Sequence, residues 1–353
     1  MKCNFKLVLC FFSFFCSVFN FPVKSGEEFE CDNFEIKGMY VGEFGNILIK
    51  KISTAKKLGI NAFVIDIKND FGEITCDLGD EKVKSNRSIK DIKSLLETLK
   101  KEGIYTIARI VSFKDKEKTK TNSELAIKNK NGTVYVDREK MVWLNPYKKG
   151  TQDYVLKIAK LAAKAGFDEI HFDYIRIPPF RNLENTDIWE DVKKKSKICI
   201  INEFIKIATK ELHEMGVKVS AAVFGCTIPM SLGNVTTKSS ANIGQDYIAI
   251  ASEVDYICPM IYPSHWPDGS FGIPHPDLVP YGIVEKSMLY SNAALQSISK
   301  KARPWIQAFT ATWLKFGAWK NYGKKQVQEQ INALKKHEIN GFLLWNSKAR
   351  YSF

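Results

Sequence analysis

Few short motifs in these 353 residues point to a class of enzyme. There is no GxSxG elbow of serine hydrolases, no HExxH zinc-binding helix and no P-loop for nucleotide phosphates. No glycine-rich phosphate-binding turn follows the first predicted strand, and there is no internal repeat or low-complexity segment. These absences argue against serine hydrolases of the elbow type, HExxH zinc proteases and the common nucleotide-binding folds.

Cysteine is too scattered to build a framework. Three of the eight cysteines lie near the N-terminus, and the other five have no short spacings: Cys31, Cys76, Cys199, Cys226 and Cys258. An odd number in such a pattern predicts neither a disulfide framework nor a zinc knuckle. Cys226 and Cys258 follow or lie in strand-like runs that could be neighbours, so one bridge stays open beside buried free thiols. No His, Cys or carboxylate joins His265 at a metal-ligand spacing, and we predict no metal and no cofactor.

The long apolar run of the sequence lies at the N-terminus. Lys2 and Lys6 precede LVLCFFSFFCSVFNF, which ends near Pro22 and is followed by small residues at the spacing that a signal peptidase prefers. This pattern predicts a signal peptide over 1–25, with a linker over 26–36. The run is short for a membrane span, and an uncleaved anchor is the alternative. We expect a secreted protein, or one of the periplasm or cell envelope.

Basic residues outnumber acidic ones, and the net charge is +13. A positive surface favours anionic partners such as cell-wall polymers or lipid head groups, which is compatible with peripheral attachment to an envelope. Most of the excess is lysine spread over predicted helix faces, which is typical of solvated surface. Because no basic stripe with interleaved aromatics occurs, we do not expect nucleic acid as a partner. The oligomeric state does not follow from the sequence.

The most regular feature of the sequence is an alternation of apolar strands with amphipathic helices. Eight strands are predicted, at 38–41, 62–68, 105–111, 169–178, 218–225, 255–264, 303–309 and 341–346. Eight such strands with helices between them are typical of an α/β fold of the (β/α)₈, or TIM, barrel type. We predict one barrel domain over 37–353, with a doubly wound open sheet as the alternative.

The segment HFDYIRIPP, residues 171–179, marks the candidate catalytic centre because it ends a buried strand with Asp173. Barrel enzymes build their sites at the C-terminal ends of the strands. Glycoside hydrolysis needs two carboxyl groups flanking the bond, so we predict Asp66 as the acid/base partner, with Asp70 and Glu43 as the other nearby carboxylates. Asp66 shares a face with Lys68 by strand alternation, and a buried ion pair between them is the structural alternative.

The predicted ligand-binding residues are charged or aromatic and follow the strand ends. Tyr262 and Trp345 have the shape to stack on sugar faces, although such rings are also ordinary core. Arg176 has the opposite strand parity from Asp173, and an ion pair in the outer helix layer is the alternative for it. His265 is expected to form hydrogen bonds within its loop. The predicted substrate-binding set is Arg109, Arg176, Tyr262, His265, Trp345, Asp70 and Lys68.

Several motifs together resemble a bacterial family of glycoside hydrolase domains, distantly similar to alpha-amylase-type barrels. The resemblance covers about residues 37–353 and rests on KGMYV (37–41), NAFVIDIKNDFGEI (61–74), HFDYIRIPP (171–179), VSAAVFG (219–225), PMIYPSHW (259–266), RPWIQAFTATW (303–313) and GFLLWNS (341–347). It implies a barrel with Asp173 in the catalytic position and with Tyr262, His265 and Trp345 lining a sugar-binding cleft.

Two positions depart from the family pattern. Ala222 and Ala308 stand where the family motifs carry aspartate, which would remove carboxylates from strand ends facing Asp173. Loss of a general acid or base costs on the order of 10²–10⁴-fold in rate. The sequence therefore predicts a glycoside hydrolase acting on an envelope or extracellular polysaccharide, with a carbohydrate-binding pseudoenzyme on the same barrel as the alternative. A third hypothesis is a structural envelope protein without a ligand.

Overall fold

The computed structural model describes residues 35–42, 45–230 and 237–351. The strands in these ranges are β1 (Lys37–Gly42), β2 (Ala62–Lys68), β3 (Ile74–Cys76), β4 (Ser85–Ile89), β5 (Tyr105–Val111), β6 (Glu169–Asp173), β7 (Lys218–Phe224), β8 (Tyr256–Met260), β9 (Trp305–Gln307) and β10 (Phe342–Trp345). The α-helices are α1 (Gly45–Lys57), α2 (Ile92–Lys101), α3 (Lys116–Thr121), α4 (Lys149–Ala165), α5 (Trp189–Lys194), α6 (Lys197–His213), α7 (Lys238–Ile243), α8 (Tyr247–Glu253), α9 (Pro280–Leu295) and α10 (Lys324–Lys336).

Eight of these strands form a closed parallel barrel. Their order around it is β1, β10, β9, β8, β7, β6, β5 and β2, and pairing of β1 with β2 closes the ring. The short strands β3 and β4 extend the sheet from β2 as an excursion before α2. The predicted (β/α)₈ barrel is therefore confirmed, and the open-sheet alternative is wrong.

Strand alternation separates two apolar layers. The inner layer fills the barrel and includes Tyr40, Val64, Ala222, Tyr262 and Trp305. The outer layer lies between strands and helices, because neighbouring side chains on a strand point to opposite faces. Local sequence signals bound the helices: the side chain of Asp91 caps α2 by accepting from the Ser94 N–H, and Gly166 ends α4 in the left-handed conformation.

The fourth barrel strand is shorter than predicted. It ends at Asp173, because Tyr174 adopts a positive φ of 48° and turns the chain away from the sheet. The parity of residues 174–178 is therefore lost, and the argument that placed Arg176 in the outer helix layer is wrong. Its side chain lies at the mouth of the barrel instead.

The bridge left open between Cys226 and Cys258 is not formed: both are free thiols, of which Cys258 is buried and Cys226 is exposed. The predicted signal peptide, most of the linker, Cys31 and Glu43 lie outside the described residues. In the portion of the chain that the structure describes, no helix combines the length and apolar character needed to cross a membrane.

Candidate functional site

A cavity of about 220 Å³ opens at the C-terminal ends of the barrel strands. Seven of the nine predicted site residues line this cavity: Asp70, Arg109, Asp173, Arg176, Tyr262, His265 and Trp345. Its remaining walls come from Tyr174, Phe224, Gly225, Cys226, Gln245, Met260, Trp266, Pro267 and Trp305. The structure thus places a cavity at the strand ends, where the sequence predicts the site.

The charged centre of the mouth is Arg109, whose guanidinium holds three carboxylates. Its Nε and Nη2 donate to Asp173 Oδ2 at 2.9 and 2.7 Å, and its Nη1 donates to Asp66 Oδ1 at 2.8 Å. Asp70 Oδ2 accepts from Nη1 and Nη2 at 3.2 Å each. Arg109 is only 1% exposed, so these contacts replace the water that its charge has lost.

Asp173 uses both of its oxygens within the protein. Oδ2 accepts from Arg109, and Oδ1 accepts from the backbone N–H of Tyr174 at 2.7 Å. The turn at Tyr174 that ends the strand therefore also orients the carboxylate. Such an arrangement suits an oriented anion, because every contact on the carboxylate is a donor.

The other two carboxylates differ in environment. Burial would raise the pKa of Asp70, but the charges of Arg109 and Lys114 outweigh it and hold that pKa below its usual range. Asp70 is therefore ionised at neutral pH. Asp66 is 3% exposed, and its burial raises its pKa even though Arg109 and the Tyr40 hydroxyl donate to it. Asp66 does not line the cavity, so it makes no direct contact with a ligand there.

Lys68, like Asp66, does not line the cavity. It is fully buried, and its Nζ pairs with Asp115 at 2.8 Å and donates to the Val111 carbonyl. The strand register shifts between Asp66 and Lys68, which moves Lys68 to the other face. The predicted ion pair of Asp66 with Lys68 is therefore wrong.

Aromatic rings pack beside Arg109, and further aromatic rings continue from there toward the outside of the barrel. The Trp345 ring packs on Tyr40 with centroids 4.4 Å apart and lies 5.4 Å from the Arg109 guanidinium carbon. Two strands further round the barrel, after β8, Tyr262 contacts both His265 and Phe309 edge to face. Burial raises the pKa of Tyr262 and lowers that of His265, so the phenol keeps its proton and the imidazole is neutral at pH 7.

Ala222 and Ala308 occupy different layers of the barrel. The pairs His171–Ser220 and Phe172–Ala221 set the register of β6 and β7, and the next pair in this register is Asp173 with Ala222. Ala222 belongs to the inner layer, whereas Ala308 belongs to the outer one. The expectation that both positions face Asp173 is therefore correct for Ala222 and wrong for Ala308.

Sequence reasoning missed three residues of the mouth. Tyr40 donates to Asp66 at 2.6 Å, Lys114 binds Asp70 at 2.8 Å, and Trp305 lines the cavity while donating to His171. Tyr40 and Trp305 could have been found from strand alternation, since each is an inward position of its strand. Lys114 lies beyond the end of β5, where alternation gives no signal.

The described residues offer no cluster of three or more metal-binding side chains. The three aspartates that converge at the mouth do so around Arg109, whose guanidinium occupies the place that a cation would need. The chemistry available here is that of oriented carboxylates, a phenol, an imidazole and stacked rings.

Comparisons with solved structures show the same fold. The chain is similar to the glycoside hydrolase domain of PgaB (BpsB) from Bordetella bronchiseptica, with a TM-score of 0.64 and 14% identity, covering 89% of this chain and 94% of that one. For the spore cortex-lytic enzyme SleL from Bacillus cereus the TM-score is 0.52 and the identity 13%, covering 90% and 72% of the two chains. For catalytic domain 2 of a Group II chitinase from Ostrinia furnacalis they are 0.51 and 11%, covering 89% and 90%.

No curated protein matches the chain. A family match, however, spans residues 39–351, and the family is described as "Putative glycosyl hydrolase domain". The matched range contains the barrel from Met39, the third residue of β1, to the end of β10, including Asp173, Tyr262 and Trp345. The predicted resemblance is confirmed, and the chain belongs to this glycosyl hydrolase domain family.

Proposed function

We propose that this glycoside hydrolase-type barrel binds a polysaccharide chain at its mouth without hydrolysing it. One observation carries the proposal: the inner position beside Asp173 on the neighbouring strand is the methyl group of Ala222, which is 1% exposed. Hydrolysis by the common mechanism needs a second carboxyl group, kept protonated, across the glycosidic bond. Asp70, the other carboxylate lining the cavity, is held ionised by Arg109 and Lys114.

The row of rings supports an extended sugar ligand. Phe309 stacks on Trp313 with centroids 5.7 Å apart, and Trp313 also contacts His265. Trp313 is 63% exposed, so the aromatic surface continues from Tyr262 inside the cavity to solvent. Flat apolar faces with polar edges are suited to sugar rings, and a continuous row of them suits a chain of sugars.

Hydrolysis is the second candidate function, and a specific observation favours it. Asp70 and Asp173 both line the cavity and share Arg109, so two carboxylates face the same cavity. In this candidate mechanism Asp173 is the nucleophile. Cleavage of a polysaccharide that Asp173→Asn abolishes would establish this function and contradict binding without turnover.

Binding is tested by calorimetric titration against a panel of cell-envelope and extracellular oligosaccharides, with product analysis of the same mixtures. We expect at least one to bind, no cleavage, and a loss of about 30-fold in affinity for Trp345→Ala, since a central tryptophan contributes about 2 kcal/mol. The variant Trp345→Phe, which keeps a ring, serves as the control for folding. If no oligosaccharide binds, both sugar functions fail and a structural role without a ligand is the hypothesis left.

The exposed end of the ring row provides a separate prediction. We expect Trp313→Ala to weaken binding of long oligosaccharides by about 5–10-fold, because one stacking contact of roughly 1 kcal/mol is lost, and to leave short ones unaffected. Phe316→Ala is the matched control, since that ring is fully exposed in the same loop. Equal losses for short and long oligosaccharides would contradict an outward continuation of the site.

We further propose that the polysaccharide is one of the cell envelope or of the extracellular space. The N-terminal signal-like pattern supports export, and the net charge of +13 supports association with anionic envelope polymers.

A further inference from the structure

Arg176 follows β6 and lies on the wall of the cavity; one strand, β5, separates β6 from β2, the strand that precedes Asp70. Its guanidinium carbon is 4.6 Å from the ring centroid of Trp143, 5.0 Å from Phe224 and 5.3 Å from Tyr174. The guanidinium therefore forms cation–π contacts with these rings. The planar group keeps its N–H donors at the edge, where they remain available for hydrogen bonds.

The hydrogen-bonding capacity of Arg176 is almost unused. Among the described residues, its Nη1 donates to the Ile177 carbonyl at 3.5 Å, which is long for a hydrogen bond. No carboxylate in the described ranges forms an ion pair with it, although Asp173, Asp137 and Glu139 are near enough to act on its charge.

The other two arginines of the barrel interior each pair with carboxylates. Arg109 holds three carboxylates, and Arg303 makes two hydrogen bonds to Glu169 deeper in the barrel. The surrounding carboxylates raise the pKa of Arg109 above its ordinary value, whereas burial lowers that of Arg176. A partly desolvated guanidinium without a counter-ion is costly, and an anion supplied by a ligand would offset that cost.

We propose that Arg176 recognises the carboxylate of an acidic sugar unit, so that the polysaccharide bound at the mouth is anionic. This inference rests on the proposed binding function. A carboxylate matches the planar guanidinium fork with two parallel hydrogen bonds. The wall around Phe224, Gly225, Cys226, Gln245 and Met260 contributes no acidic side chain to the cavity, so a carboxylate placed there meets no repulsion from it.

The test compares matched pairs of oligosaccharides that differ only in charge. Tetragalacturonate, tetramannuronate and a hyaluronan tetrasaccharide are each titrated beside their carboxyl-reduced forms at 0.15 M salt. We expect at least one acid member to bind about 10-fold more tightly than its neutral form, which is the range of a charge-assisted hydrogen-bond pair. Arg176→Gln is expected to remove that difference. Arg87→Gln, which changes the same charge at an exposed position of β4, is expected to keep it.

The outcomes separate this inference from the function on which it rests. Tighter binding of neutral members, or a charge preference that survives Arg176→Gln, overturns the acidic-sugar assignment alone. Trp345→Ala should weaken acid and neutral members of a pair equally, because stacking does not depend on the carboxylate. If neither member of any pair binds and the neutral panel also fails, polysaccharide binding itself is overturned.

Discussion

Replacing Arg109 with leucine is expected to lower the free energy of unfolding at pH 8 by about 3–5 kcal/mol, the range found when one partner of a buried ion pair is removed. Asp66, Asp70 and Asp173 would then face one another without the guanidinium that now binds all three. Urea denaturation monitored by tryptophan fluorescence measures the change. Arg87→Leu, at an exposed position, is the control and should change stability by less than about 0.5 kcal/mol.

The loss should depend on pH in a defined direction. In the native protein the pKa of Asp70 is lowered, so Asp70 contributes stability that is present above its unfolded pKa of about 3.9 and is lost only as the pH falls through the lower folded pKa. The contribution is therefore intact at both pH 8 and pH 5. Without Arg109 the buried carboxylates take up protons more readily, and the destabilisation should be smaller at pH 5 than at pH 8. Equal losses at the two pH values would contradict this account of the centre.

Replacing Ala222 with aspartate is expected to create hydrolytic activity on an oligosaccharide that the native protein binds, with a rate gain on the order of 10²–10⁴-fold. The strand register places this side chain beside Asp173. Neighbouring strands lie about 4.8 Å apart, close to the carboxyl separation of about 5–5.5 Å in retaining glycosidases. Repulsion from Asp173 would raise the pKa of the new carboxyl and keep it protonated as an acid.

Three variants make this result specific. Ala222→Asn has the same shape without the acid, and we expect it to be inactive. Ala222→Asp combined with Asp173→Asn should also be inactive, because the nucleophile is then missing. Ala308→Asp alone should produce no activity, since that side chain lies in the outer layer. Product formation is followed by chromatography, and folding by circular dichroism. Activity from Ala308→Asp but not from Ala222→Asp would contradict the assignment of the two layers.

Membership of the glycosyl hydrolase domain family accounts for the barrel fold. The function of this chain depends on the residues at the mouth of the barrel. Asp173 retains its orientation through Arg109 and the Tyr174 N–H, and the aromatic walls are present on both sides. What is absent at the inner position beside Asp173 is a second acid. The binding function proposed for the chain follows from that combination.

The sequence by itself determined the barrel, because its signals are local. Apolar strands, amphipathic helices and glycine stops follow from periodicities of a few residues, and the end of β6 at an aspartate placed the site at the strand ends. Seven of the predicted site residues accordingly line the cavity: Asp70, Arg109, Asp173, Arg176, Tyr262, His265 and Trp345.

Only the tertiary structure decided which of these residues act on one another. A register shift after Asp66 moved Lys68 to the other face, and the turn at Tyr174 carried Arg176 into the cavity. Neither event has a local signal, because bulges and strand ends depend on the pairing with neighbouring strands. The sharing of Arg109 by three carboxylates from different segments, and the placement of Ala222 beside Asp173, depend in the same way on closure of the barrel.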